Sequence, residues 1–310
     1  MKILIITEHL STGGMPQYLV EHVKALIGKH DVTVVEYGFS APDYVVQRNR
    51  LLAMLPPDRF VSLGVDKAQL LEVIEASKPD VVHFEEIPEM FCDQGIAARI
   101  YREGRPYRIV ESTHTSGFDV AQKVFLPDKF MLVCEFSRRQ YEALGVPCDV
   151  VEYPTVPKQR PDRTAALRAA GLDPARKHVL NVGLFTPGKN QGEAFEIARL
   201  LPDVEFHFVG NTAGNFRDYW EPLIQSKPAN CHVWGERSDV DAWYSACDLF
   251  LFTSIRELNP LVVKEAMAWG LPVVMHDLPV YCGGYKEGRQ VSFLTADRER
   301  NAQIINERLK

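Results

Sequence analysis

The chain has 310 residues, 46% of them hydrophobic and 25% charged. That composition argues against global disorder, and at roughly 150 residues per domain it points to about two domains, with cores large enough to need no disulfide or metal staple. The formal net charge of −6 argues against a nucleic-acid binder built on a basic stripe.

Taken in chain order, short apolar runs alternate with helix-length amphipathic stretches. Residues 3–7 read as a buried strand, and 15–27 as a helix with apolar side chains at Leu19, Val20, Val23, Ala25, Leu26 and Ile27. Strand 32–37, helix 67–77, strand 81–84, helix 91–103, strand 108–112, strand 131–135, helix 137–144 and strand 150–153 follow. Continuous apolar strands separated by helices predict a parallel sheet covered on both faces. Pro154, Pro157 and Pro161, with Lys158, Gln159 and Arg160, then form a polar, proline-rich stretch that reads as a linker. Beyond it the alternation restarts, with strands at 178–183, 204–210, 231–234, 249–253 and 272–276 and helices at 191–200, 217–225, 240–247, 260–269 and 298–309.

The expected fold is α/β, with two doubly wound Rossmann-like domains, 1–157 and 158–310. Ligands of such sheets sit outside the carboxyl ends of the strands, and with two domains those ends can face each other across a cleft. Residues 1–157 hold 16 basic against 22 acidic side chains, which leaves 19 of each to the rest, so the whole net charge lies in the first half. The six cysteines, Cys92, Cys134, Cys148, Cys231, Cys247 and Cys282, form no C-x-x-C pair and read as buried reduced thiols. No apolar run approaches the ~20 residues of a membrane span, and the start is too short and too soon charged for a signal segment. A cytoplasmic location is the expectation, with peripheral membrane contact left open.

Three segments carry chemistry. Ser11-Thr12-Gly13-Gly14-Met15 follows the first strand and opens a helix. Glycines there let the backbone approach a ligand, and free N–H groups at a helix start suit an anion. The dinucleotide pattern G-x-G-x-x-G is absent, and a tight turn explains the glycines equally. The second segment runs from Asn181 to Gln191. A strand ends in Gly183, a Pro187-Gly188 turn follows, and Lys189 stands at the mouth of the next helix. A lysine with helix N–H groups can neutralise a diphosphate, although a plain surface lysine fits too. Asn190 stands where a P-loop needs Ser or Thr, so an ATPase reading fails.

The third segment, 254–274, reads as a strand end, a loop, a helix and a strand start. Asn259 suits the N-cap, Pro260 the first helical position, and Gly270 the stop. Glu257 then lies in the loop before the helix and Glu265 in its second turn, so both carboxylates can point into one cleft. A carboxylate can accept two hydrogen bonds from the vicinal hydroxyls of a ribose or a sugar. Complementing the helix dipole is the alternative role for Glu265.

These residues resemble the retaining GT-B glycosyltransferases of the large family 4 group. The resemblance rests on Glu257-x7-Glu265 with Ala266-Met267-Ala268-x-Gly270-x-Pro272-Val273. Supporting it are the Gly183 to Lys189 segment, Phe208-Val209-Gly210, Trp234-Gly235-Glu236 with Ser238, and Tyr244-Ser245-Ala246-Cys247-Asp248. In the first half Gly13-Gly14 and Asp80-Val81-Val82-His83 also fit.

The resemblance implies a GT-B fold and a nucleotide diphospho-sugar donor bound mainly by the second domain. Glu265 would hold the ribose hydroxyls, Glu257 the donor sugar, and Lys189 the diphosphate and its leaving charge. Gly183, Gly210, Leu258, Asn259, Pro260 and Leu261 would line the same nucleotide-sugar site. Gly13 and Gly14 would approach the phosphates, and His114 would face the sugar, unless it is a loop histidine bonded to backbone. Transfer to an acceptor hydroxyl would retain configuration, and no metal or other cofactor is implied. Asp239 and Asp241 flank Val240 at a helix start, where capping explains them better than metal binding.

One position departs from the pattern. The family usually carries an arginine beside Gly183, where this chain has Leu184. Arg256 and Arg237 are the candidate substitutes. The departure keeps a second reading open, a catalytically degenerate nucleotide-sugar-binding partner protein. The acceptor is a glycan, a lipid or a small molecule, and the acidic first half leans toward a soluble or neutral one. Glu85, Glu86 and Glu89 either meet its hydroxyls or stand as surface charge.

Overall fold

The computed structural model describes residues 1–11, 13–38, 44–153 and 155–310. Thr12 of the first glycine turn and Pro154 of the linker lie outside the described residues. The chain divides into two compact units, Met1–Tyr153 and Pro154–Lys310, so the division falls at 153/154 rather than at 157/158.

The amino-terminal unit runs β1 (Lys2–Thr7), α1 (Gly14–Leu26), β2 (Asp31–Glu36), α2 (Val46–Met54), β3 (Phe60–Ser62), α3 (Gln69–Ser77), β4 (Val81–Phe84), α4 (Pro88–Phe91), α5 (Gln94–Ile100), β5 (Arg108–Thr113), β6 (Lys129–Leu132), α6 (Glu135–Tyr141) and β7 (Cys148–Val150). Its seven strands pair in parallel in the order β3-β2-β1-β4-β5-β6-β7. Leu4, Ile5 and Ile6 in the central β1 are buried from both faces, which is what a continuous apolar strand requires. Strand order reverses between β1 and β4.

The carboxyl-terminal unit runs α7 (Arg163–Ala170), β8 (Lys177–Val182), α8 (Gln191–Arg199), β9 (Val204–Val209), α9 (Arg217–Gln225), β10 (Cys231–Val233), α10 (Val240–Ala246), β11 (Leu249–Phe252), α11 (Leu261–Ala268), β12 (Val273–Met275), β13 (Val291–Phe293) and α12 (Arg298–Arg308). Six parallel strands order as β10-β9-β8-β11-β12-β13, with the reversal between β8 and β11. Two apolar clusters cover its faces, one around Tyr244, Phe250 and Val263, the other around Phe195, Phe206 and Ile305.

Several boundaries differ from the sequence reading for local reasons. The helix expected over 91–103 is two helices, because Cys92 is extended and the Asp93 carboxylate starts α5 afresh by accepting from Gly95 N and Ile96 N. The strand expected over 131–135 ends at Leu132, and Glu135 already opens α6. The strand expected over 150–153 is Cys148–Val150. Helices α2 and α7 and strands β3 and β13 were not anticipated. For α7 the signals were present: Asp162 caps it by accepting from Ala165 N, and Gly171 closes it at φ 71°. Cys282 is exposed, whereas Cys92, Cys231 and Cys247 are buried as expected. Among the described residues no helix is long and apolar enough to cross a membrane.

Candidate functional site

In doubly wound sheets the crevice for ligands opens where the strand order reverses. Each unit places a cluster of charged and polar side chains at that point.

In the carboxyl-terminal unit the segment after β8 is fixed by a backbone crossing. Gly183 N donates to Val209 O at 2.9 Å. A Cβ on Gly210 would stand 2.0 Å from the Gly183 carbonyl oxygen, and Gly210 has φ +153°. Close backbone approach therefore demands glycine at 210. The chain then turns through Pro187-Gly188, with Lys189 N donating to the Thr186 carbonyl at 3.1 Å. Asn190, left-handed at φ 54°, leads into α8.

The Lys189 stem passes beside Gly183, 3.7–3.9 Å from where a Cβ would stand. Its ammonium meets Glu257 Oε1 at 2.5 Å and lies 5.5 Å from the Phe252 ring centroid. The Ser254 hydroxyl sits 2.6 Å from the same Glu257 oxygen and 2.9 Å from the Gly188 carbonyl. Thus the ends of β8 and β11 bring Lys189, Ser254 and Glu257 together. The lysine side chain is 30% exposed and the glutamate 9%.

Glu265 lies in the second turn of α11, where its Oε2 accepts from the Tyr244 hydroxyl at 2.9 Å. Tyr244 is fully buried, and burial together with the Glu265 charge pushes its phenol well above the usual range, so it remains a donor. A fixed tyrosine thus orients this carboxylate. Helix α11 begins at Leu261 with Pro260 as its cap residue and no side-chain cap, so Asn259 does not serve as the N-cap. Gly270, at φ 72°, ends the helix as expected.

The two substitutes for the missing arginine differ. Arg237 is held by Asp239, with its guanidinium nitrogens 2.7 and 2.8 Å from the two carboxylate oxygens. That pairing also removes Asp239 from capping α10, which has no side-chain cap. Arg256 is exposed and its backbone passes Gly188, with Cβ 3.5 Å from where a Gly188 Cβ would be. Leu184 contributes its carbonyl, which accepts from Gln191 Nε2 at 3.0 Å. The sequence reading missed Tyr281. Its buried hydroxyl has no hydrogen-bond partner among the described residues, and burial and the nearby Glu257 charge push its phenol up. Only the fold reveals it, because Tyr281 follows β12 in a single 3-10 turn.

In the amino-terminal unit Gly13 is the cap residue of α1, at φ +151°, and supplies no side-chain cap. Glu85, directly after β4, is completely buried. His22 Nδ1 of α1 lies 2.6 Å from its Oε1, His83 Nε2 of β4 3.8 Å from the same oxygen, and His114 Nε2 3.3 Å from Oε2. Burial opposes the charge on Glu85, yet the surrounding His83, His114 and His22 hold its carboxyl well below the usual range. Burial lowers His83 to about 4, so that ring is neutral.

His114 is therefore bonded to two carboxylates, its ring to Glu85 and its backbone N–H donating to Glu86 Oε2 at 3.3 Å, and its ring sits 4.9 Å from that of Tyr18. Glu86 also accepts from Thr113 Oγ1 at 3.1 Å and Ile87 N at 3.0 Å, and burial raises its pKa. Glu89 binds Lys123 Nζ at 2.7 Å and the backbone N–H groups of Val124 and Phe125. All three glutamates are turned inward and bonded, so none is the surface charge or open acceptor contact that the sequence suggested. The His22–His83–Glu85 grouping was missed. Its only sequence signal is the H-x-E at the end of β4, where alternation puts residues 83 and 85 on one face.

Two doubly wound parallel sheets, each with its charged cluster at the strand-order reversal, define an α/β protein of the GT-B class. Residues 176–310 match the family model described as glycosyl transferases group 1. A processive diacylglycerol alpha-glucosyltransferase of Acholeplasma laidlawii is 30% identical over 140 residues, 44% of this chain. The matched stretch spans only 41% of that relative's length. Among solved structures, the Anabaena protein Alr3699/HepE in complex with UDP and glucose has a TM-score of 0.80 at 19% identity, covering 99% of this chain and 89% of that one. A sucrose-phosphate synthase from Thermosynechococcus elongatus has a TM-score of 0.73 at 14% identity, with the same coverage. At these identities the structures establish the fold.

Proposed function

We propose that the protein is a glycosyltransferase that moves a sugar from a nucleotide diphospho-sugar to an acceptor hydroxyl with retention of configuration. The observation that carries this reading is the Lys189–Glu257 pair, braced by Ser254, at the strand-order reversal of the unit whose residues 176–310 match the family model. A diphosphate at Lys189 competes with Glu257 for the ammonium. Once displaced, Glu257 turns to hydroxyls of the donor sugar, while Glu265, oriented by Tyr244, accepts from the ribose diol.

As the bond from the anomeric carbon to the diphosphate oxygen breaks, charge grows on the leaving group. Lys189 and the backbone N–H groups at the start of α8 are preorganised to stabilise it. The acceptor oxygen bonds the anomeric carbon on the same face, and its proton passes to the departing phosphate oxygen. This step uses no metal. The carboxyl-terminal unit takes the donor. The UDP and glucose of the Anabaena neighbour make UDP-glucose the first donor to try.

Leu184, in place of a second cation, favours one other reading, a partner protein that binds the nucleotide sugar without transferring it. Product analysis with labelled donor and a panel of glycan, lipid and small-molecule acceptors separates the two. Free nucleotide diphosphate with a new glycoside of the donor's anomeric configuration is the expected result. An inverted product refutes retention, and tight binding without turnover on any acceptor supports the partner protein.

A further inference from the structure

The amino-terminal cluster has features that the transfer reading does not use. His22, His83 and Glu85 each offer one ligand atom, and the three atoms all lie within 4.8 Å of one another. Both imidazole nitrogens converge on a single oxygen, Glu85 Oε1, at 2.6 and 3.8 Å. The residues come from α1 and from the end of β4, beside the strand-order reversal of the sheet. Among the described residues no lysine or arginine bonds Glu85; its polar partners are imidazoles. A buried carboxylate without a strong cation is costly.

We infer that His22 Nδ1, His83 Nε2 and Glu85 form a binding site for a divalent transition cation of the zinc class in the amino-terminal unit. Two imidazoles and a carboxylate suit zinc, and three protein donors leave an open position for water or a ligand hydroxyl. Zinc to N or O distances of about 2.0–2.2 Å require donor-to-donor edges of about 3.3 Å in a tetrahedron. The observed 2.6 and 3.8 Å bracket that value, and with all three ligand atoms within 4.8 Å of one another the rings would draw together by up to about 1.5 Å to close on one ion. Binding would replace the proton shared by His22 and Glu85, and would take His83 Nε2 from the Ser112 hydroxyl, which it now meets at 2.8 Å.

The outer partner is also present. His114 Nε2 bonds the other Glu85 oxygen at 3.3 Å, as a group that orients a ligating carboxylate should. His22 and His114 are 15% and 12% exposed, which marks the side from which an ion enters. The site does not rest on the transfer reading, and the test uses the metal alone.

The experiment is calorimetric titration of the chelator-dialysed protein with zinc chloride, repeated with cobalt(II) and followed by visible absorption. One equivalent of zinc should bind with a dissociation constant at or below about 1 μM, since metal binding to a preformed site is strong. The cobalt spectrum should show nitrogen and oxygen ligation without a thiolate band. His22→Ala and Glu85→Gln should each weaken binding at least 10-fold, and His114→Ala about 10-fold or more. Circular dichroism melts check folding. Should Glu85→Gln fail to fold, His22→Ala, at a partly exposed position, decides alone. No saturable binding, a thiolate band, or unchanged affinity in His22→Ala would each overturn the site.

Discussion

The two strand-order reversals handle buried charge in opposite ways. In the carboxyl-terminal unit a partly exposed lysine neutralises Glu257, and that cation can exchange its carboxylate for a phosphate. In the amino-terminal unit Glu85 is completely buried and is surrounded by three imidazoles, which can give up protons or bind a metal. On the proposed readings one site takes a ligand anion and the other a cation. The same topology thus supports contrasting chemistry through a few residues at the strand ends.

The strongest way to break the comparison is through the backbone. Gly210→Ala would drive a Cβ onto the Gly183 carbonyl at 2.0 Å. Overpacking against rigid backbone plus strain at positive φ should cost about 3 kcal/mol or more, or abolish folding of that unit. Gly145→Ala in the amino-terminal unit has φ +70° with open space around it, and should cost only about 1–2 kcal/mol. Denaturant melts of both variants check the contrast; equal losses would refute the crossing as the reason for glycine at 210.

Lys189→Ala comes next. Turnover should fall about 100- to 1,000-fold, the usual loss on removing one preorganised donor of transition-state charge. Binding of the nucleotide sugar should change less. A loss confined to KM would contradict the role of Lys189 in leaving-charge stabilisation.

Glu265→Ala removes charge-assisted bonds worth about 1.5–3 kcal/mol, so donor affinity should fall roughly 10- to 100-fold. It also leaves the buried Tyr244 hydroxyl with the longer bond to the Val262 carbonyl at 3.3 Å. Glu265→Gln keeps an oxygen for Tyr244, so it should restore the melting temperature more fully than the affinity. Calorimetry beside thermal melts separates the two effects.

The smallest expected effect is the pH dependence of each unit. Burial lowers His207, which packs against His178 and His232, to about 3. A group with a depressed native pKa leaves the native state with fewer bound protons, so its contribution in the carboxyl-terminal unit is lost as pH falls from about 6.5 toward 3. Burial raises Glu111, set among Lys123, Glu89 and Tyr101, to about 8. Its contribution in the amino-terminal unit is present below about 4.5 and is lost as pH rises toward 8. Glu111→Gln should therefore remove a loss of stability as pH rises toward 8, and His207→Gln a loss as pH falls toward 3; denaturant melts across pH in which neither variant changes the profile would contradict these assignments.

The difference between the regions also explains what was legible in the sequence. Glu257 and Glu265 belong to one loop-helix segment, and Lys189 follows a glycine turn, so spacing alone could nominate them. Alternating apolar strands made the doubly wound class readable for the same reason. The amino-terminal cluster is assembled from α1, β4 and the end of β5, and no local spacing records that meeting. Long-range pairing decided Tyr244 against Glu265, and a local ion pair two residues apart decided Asp239 against Arg237, where rules of helix ends suggested otherwise. Asn259 missed the cap because α11 starts only at Leu261, after Pro260. The split of the expected helix 91–103 turned on one Asp93 cap inside an otherwise helical pattern.

The central claim is that the carboxyl-terminal unit holds a nucleotide diphospho-sugar through Lys189, Glu257 and Glu265. Its most direct test is a thermal-shift screen against UDP-, GDP-, ADP- and TDP-sugars, with and without magnesium. A ligand at 100 times its dissociation constant should stabilise by about 2.7 kcal/mol. The account predicts a shift with one nucleotide class, independent of magnesium and lost in Glu265→Ala; no shift with any of them, or an undiminished shift in Glu265→Ala, would contradict it.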